Sequence, residues 1–210
     1  MSEPPAWWPD WTGQDCVIVA SGPSAKAVPL ELGRGKARYI AINRSWELAP
    51  WADVLYGCDF KWWNSVGGCP GFEGLRISRD SRVSSHPAWN IQVIHLYRDD
   101  RIQLERGTVG WGSNGGFQAF NLALQWHPRR ILLVGFDHTL AHGVHWHGSH
   151  PNGMNNPSLG SMHRWIRAMD GAAAVAKELG VEIVNCSMVS ALQKYPKMPF
   201  EEAIACPAPS

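Results

Sequence analysis

Six short apolar runs, each set off from the next by a polar or amphipathic stretch, constrain this chain more than any other feature. Residues 15–20 (DCVIVA) are apolar at successive positions and β-branched, the pattern of a strand buried on both faces. Residues 37–42 (ARYIAI), 53–58 (DVLYGC), 91–96 (IQVIHL), 130–135 (RILLVG) and 181–185 (VEIVN) read the same way. Between them lie helical patterns. In 113–126, Phe117, Phe120, Leu122, Leu124 and Trp126 give a broad apolar face behind a Ser113/Asn114 start. In 161–179, Ile166, Met169, Ala173, Ala176 and Leu179 recur every three or four residues, and Gly180 supplies the stop. Strands alternating with helices predict an α/β, Rossmann-like domain. Its mostly parallel sheet has about six strands, helices lie on both faces, and 15–20 is central.

That architecture says where to look for function, because ligands of such sheets bind beyond the carboxyl ends of the strands. The loop after 15–20 is Ser21-Gly22-Pro23-Ser24. Its glycine allows close backbone approach, its proline suits a first helical position, and free N–H groups there would favour an anion. A tight turn without a ligand explains the same residues. The loop is neither a GxGxxG fingerprint nor a phosphate loop with its lysine. Asn43 ends the second strand and Asp59 the third. Both fall on the same edge, where either could instead cap the next helix.

The most unusual stretch follows Gly135-Phe136-Asp137. Six of the nine histidines lie there: His138, His142, His145, His147, His150 and His163. A long irregular segment in a compact domain is usually functional, so residues 138–160 are expected to form a lid. His145, His147 and His150, aided by Asp137, are candidate ligands of a divalent metal, although no fixed ligand spacing such as HExxH is present. A polar loop of hydrogen-bonded histidines is the plainer alternative. Trp62-Trp63 reads as packing before it reads as a stacking platform for a base or sugar.

Composition narrows the class. The 210 residues suit one domain over 15–195, with 1–14 as an extension and 196–210 as a tail. Nineteen basic and 18 acidic residues give a formal charge of +1, so no global field favours nucleic acid or an acidic membrane. No apolar run approaches the ~20 residues that span a bilayer. Met1-Ser2-Glu3-Pro4-Pro5 lacks the basic start and apolar stretch of a signal peptide. The five cysteines form no CxxC pair, and Cys16, Cys58 and Cys186 lie in or beside expected strands as small buried groups. A reduced, cytoplasmic setting is expected. Homo-oligomerisation is left open.

The motifs VIVASGPSA, AIN, GSNGGFQAFNLAL, ILLVGFD and MHRW, with GVEIVNCS downstream, together resemble two related groups over about residues 15–192. One is the bacterial sialyltransferases of glycosyltransferase family 42; the other comprises proteins like the archaeal 6-hydroxymethylpterin pyrophosphokinase. The chain also resembles bacteriophage-encoded proteins with the same Trp-rich and HWHG segments, which implies the host cytoplasm. The sialyltransferase resemblance implies a nucleotide-sugar transferase with a CMP-type donor as its small-molecule partner. It implies that Asn43 contacts the nucleotide, that Ser113, with Asn114 beside it, lies next to the cytidine, and that His163 is the general base. At the start of a helix, His163 would be held neutral by the helix N-terminus and could deprotonate an acceptor hydroxyl. The chain departs from the family in having Ser21 where the family keeps an asparagine before Gly-Pro-Ser, and in having no tyrosine between Tyr97 and Tyr195 to match the lid tyrosines. Histidines of 138–150 are the candidates to replace those tyrosines. The pyrophosphokinase resemblance implies ATP and a divalent ion held by Asp59 and Asp137. A non-catalytic nucleotide-binding or phage-assembly module is the third reading.

Overall fold

The computed structural model describes residues 3–150 and 156–206. Along the chain run β1 (Asp15–Val19), β2 (Ala37–Ile42), β3 (Val54–Tyr56), α1 (Phe60–Ser65), β4 (Leu75–Ser78), β5 (Ile91–Val93), β6 (His95–Tyr97) and β7 (Thr108–Gly110). They are followed by α2 (Gly115–Leu124), β8 (Arg130–Val134), α3 (Leu159–Glu178), β9 (Glu182–Asn185) and α4 (Phe200–Ala205). Seven strands form one wholly parallel sheet in the order β5-β4-β3-β2-β1-β8-β9. From β1 the chain winds outward to β5, then returns to place β8 on the other side of β1. The α/β fold class expected from the sequence is the one observed, with β1 in the interior of the sheet.

Consecutive strand residues point to opposite faces, and both faces are buried. Cys16, Ile18, Ile40, Ile42, Ile131 and Leu133 pack on one side with Phe117, Phe120 and Leu124 of α2 and Met169, Ala172 and Ala176 of α3. Val17, Val19, Tyr39, Ala41, Leu132 and Val134 pack on the other with Ala25, Leu30, Trp62, Trp63 and Phe200. Continuous apolar strands therefore arise because neither face meets water. The second face is covered by short helices and 3₁₀ turns, such as Pro23–Ala27 and Leu30–Gly33, rather than by long helices.

Three details depart from expectation. Leu75–Ser78 forms a strand that the apolar pattern does not predict, because Arg76 interrupts its apolar run. The Arg76 guanidinium donates to the carbonyls of Cys69 and Phe72, which lets a charged residue sit in the sheet. The expected strand 91–96 divides at Ile94: 91–93 pair with β4, and 95–97 pair with β7 in a separate two-stranded ribbon. Part of the expected 196–210 tail is integral, since α4 buries Phe200, Ala203 and Ile204. At the other end of the chain, Trp8 and Trp11 pack edge-on against Trp126, at 5.9 and 4.5 Å between ring centroids. No described helix is long and apolar enough to cross a membrane.

Candidate functional site

The sheet winds one way from β1 and the other way from β8, and a crevice lies at the carboxyl edge of this switch point. A cavity of about 480 Å³ occupies it, within the range of small-molecule sites. Its wall comes from residues 20–23 after β1, Asn43 after β2, Asp59 after β3, residues 113–116 at the start of α2 and residues 135–139 after β8. Ten expected site residues, Ser21, Gly22, Pro23, Asn43, Asp59, Ser113, Asn114, Asp137, His145 and His150, thus share one cleft.

The Ser21–Ser24 turn is built differently from expectation. Two of its N–H groups are not open to a ligand: Gly22 donates to the Gly135 carbonyl at 2.9 Å, and Ser24 donates to the Asp137 carboxylate at 2.9 Å. The Ser24 hydroxyl also donates to Asp137, and Ser24 takes no part in the cleft wall. The buried Asp137 is the anion that this turn holds. Gly22 is required by the same packing, since a Cβ there would collide with the Gly135 carbonyl and lie 2.7 Å from Asp137 Cγ. Asp59 is likewise engaged, accepting from Arg79 at 2.8 Å and from the Cys58 thiol at 3.2 Å. Neither carboxylate is held ready for a magnesium ion.

Elsewhere the wall is strained. Asn43, Ser113 and His138 adopt φ values of 50°, 59° and 50°. Such left-handed conformations are costly for residues with side chains and cluster at functional sites. Asn43 Oδ1 is buried without a hydrogen-bond partner. The Ser113 carbonyl and hydroxyl both accept from Trp165 Nε1, at 2.9 and 3.3 Å, which ties α3 to this loop. Asn114 caps α2 by accepting from Phe117 N at 2.9 Å, so Gly115 and Gly116 bring a helix N-terminus to the cleft. Trp63 is fully buried and donates to the Gly57 carbonyl, whereas Trp62 reaches the cleft wall with its Nε1 unpartnered.

His138 stacks on Phe136 with ring centroids 5.9 Å apart and meets Trp165 edge-on at 6.4 Å. Its Nδ1 has no partner, and burial lowers its pKa below the ordinary imidazole value. His163 is placed otherwise than expected. Its side chain is exposed and is not part of the wall, although Met162 and Trp165 are. At about 100° per residue, a helix that aims residues 162 and 165 at the cleft turns residue 163 away from it.

The first part of the expected lid is docked onto the cleft; residues 151–155 lie outside the described residues. Trp146 N donates to the Ser21 carbonyl at 3.0 Å, its Nε1 donates to Ser45 Oγ at 3.3 Å, and the Arg44 guanidinium lies 5.7 Å from its ring. On either side of this anchor, His145 and His147 stack at 5.1 Å, and His150 lies 4.5 Å from His145. Burial lowers the pKa of all three, with His145 and His147 reaching about 4. Sequence reasoning did not single out Trp165, Phe136 or Thr139 as wall residues. No local pattern marks a helical tryptophan as the one that reaches across to another loop.

No family model matches the sequence, and no curated protein matches it. Solved structures match in fold. The sialyltransferase CstII from Campylobacter jejuni in complex with cytidine-5'-monophosphate superposes with a TM-score of 0.55 at 9% identity, covering 90% of this chain and 86% of that one. The complex of the same enzyme with CMP-3FNeuAc gives 0.55 at 10% identity over 90% and 87%. A complex of CST-II with a trisaccharide acceptor and CMP gives 0.53 at 10% identity over 87% and 85%. At this identity the likeness establishes the fold.

Proposed function

We propose that the chain is a nucleotide-sugar-dependent transferase of the glycosyltransferase type, with a CMP-type donor in the carboxyl-edge cleft. The observation that carries this reading is the cleft itself. It is cut at the switch point of a fold shared with CMP-bound sialyltransferases, and it is walled by strained residues with an unpartnered Asn43 Oδ1. A ribose hydroxyl or a cytosine amino group is the kind of donor that satisfies such an acceptor. The N-terminus of α2 at the wall favours the negative charge of a nucleotide phosphate.

In the reaction, an imidazole takes the proton of an acceptor hydroxyl as its oxygen attacks the anomeric carbon. The bond from that carbon to the phosphate oxygen breaks, and the nucleotide leaves with the electron pair. The resemblance assigns the imidazole to His163; the geometry favours His138, whose neutral ring is in the cleft wall where that of His163 is not. Asp59 and Asp137 are engaged by Arg79 and Ser24, which makes the pyrophosphokinase alternative the weaker one.

A thermal-shift screen against CMP, CDP, UDP, GDP and ATP, with and without divalent ions, tests the donor class. Stabilisation by CMP is expected; a shift with ATP and magnesium alone would move the reading to pyrophosphoryl transfer. With a donor in hand, His138→Ala is expected to keep nucleotide binding and lose turnover at least tenfold, toward the 10²–10⁴-fold typical of such catalysis. The same loss in His163→Ala, with His138→Ala unaffected, would return the role to the helix.

A further inference from the structure

We propose that His145, His147 and His150 together hold one divalent transition-metal ion at the rim of the cleft, leaving a coordination position open toward the cleft. Each imidazole offers a ring nitrogen, and the three atoms lie within 4.8 Å of one another. A tetrahedral ion with Zn–N distances of about 2.0–2.1 Å holds its nitrogens roughly 3.4 Å apart. Small side-chain rotations close that difference. The Nε2 atoms of both His145 and His147 are buried with no hydrogen-bond partner. Native structures rarely leave buried polar atoms in that condition unless something outside the chain satisfies them.

The backbone that presents the cluster is already fixed. Trp146, between the first two histidines, is bonded to Ser21 and Ser45. Gly148 N donates to the His145 carbonyl at 3.1 Å, which turns the chain there, and His150 N donates to Asn156 Oδ1 at 2.8 Å. The nearby cation Arg44 is paired with Glu47 by two bonds, at 2.7 and 2.8 Å, which offsets part of its repulsion of a metal charge.

The donor set defines the ion. Three imidazoles and no carboxylate suit zinc, cobalt, nickel or copper and not magnesium or calcium. Neutral ligands also leave the full charge of the ion uncompensated, so an anion is the preferred additional ligand. His145 and His150 both line the cleft, which makes the cleft the source of that ligand. A phosphate oxygen of the bound nucleotide has the right charge and hardness. This last step rests on the nucleotide reading given above; the metal site itself does not.

Chelator-treated full-length protein, titrated with zinc chloride by calorimetry and with cobalt chloride by visible absorption, tests the site. One equivalent is expected, with cobalt bands of a nitrogen-rich tetrahedral centre. His145→Ala, His147→Ala and His150→Ala should each weaken binding at least tenfold, while His142→Ala, at an exposed position outside the cluster, leaves it unchanged. Gln variants checked by circular dichroism serve if an Ala variant unfolds. Less than a tenth of an equivalent bound at micromolar zinc, or unchanged affinity in all three variants, overturns the site. CMP is then titrated into the metal-free and zinc-loaded protein, with at least tenfold tighter binding expected when zinc is present. Zinc binding with equal CMP affinity in both forms overturns the phosphate contact and leaves the metal standing. Zinc binding with no CMP binding in either form overturns the nucleotide reading instead.

Discussion

The Ser21–Ser24 turn and the His145–His150 segment face the same cleft, yet their polar atoms are in opposite states. In the turn, Gly22 N–H goes to the Gly135 carbonyl, and Ser24 N–H and hydroxyl go to Asp137. In the histidine segment the backbone is anchored but the Nε2 atoms of His145 and His147 are buried and unpartnered. A buried hydrogen-bonding group without a partner is a standing cost, whereas an internally paired one contributes stability. The glycine turn is therefore a structural joint between the loops after β1 and β8. The groups with capacity for a ligand lie in the histidine segment and at Asn43 and His138.

That contrast can be broken by removing each partner in turn. Asp137→Ala deletes the carboxylate that receives two hydrogen bonds from Ser24 and leaves a half-buried N–H without an acceptor. A loss of ~2–3 kcal/mol in urea unfolding is expected, in line with hydrogen bonds to charged groups. An unchanged midpoint would show that the turn does not depend on its internal anion.

A smaller effect is expected from acid. Burial holds the folded-state pKa of His138 below the unfolded value of about 6.5. Above that pH the ring is neutral in both states and contributes nothing. As pH falls below it, the unfolded chain takes up a proton that the folded chain refuses, so stability declines by at most about 1.4 kcal/mol per pH unit. His138→Phe keeps an aromatic ring against Phe136 and should reduce the slope measured between pH 6.5 and 5 by the share of one imidazole, the lowered pKa values of His145, His147 and His150 supplying the remainder. An identical slope in the variant would place the titration elsewhere.

The smallest change is expected where the sequence is richest in histidine. In metal-free protein, His147→Ala removes an unpartnered Nε2 and a half-buried ring, and the two effects offset to within ~1 kcal/mol. A loss beyond 2 kcal/mol in the same urea assay would mean that this imidazole is a structural partner and not a waiting ligand.

The amino-acid sequence by itself determined the α/β class, the strand at 15–20, both long helices and the edge of the sheet that carries the cleft. Those properties follow from local information: uninterrupted β-branched runs, three- and four-residue apolar spacing, Asn114 as a cap and Gly180 as a stop. It also brought Ser21, Asn43 and Asp137 to one place, because a parallel sheet puts every strand's carboxyl end on one edge, whereas Ser113 was implied by the resemblance. Whether a polar atom in that edge is free or already engaged was decided only by the tertiary structure. Ser24 and Asp137 are 113 residues apart, and Trp165 and Ser113 are 52 apart. His163 sits one residue from Met162, yet the helical rotation turns it out of the wall that Met162 lines. Local pattern specifies which elements form. Hydrogen-bond pairing across the switch point and the rotation of α3 require the packed sheet, because the partners meet only when β1 and β8 lie side by side.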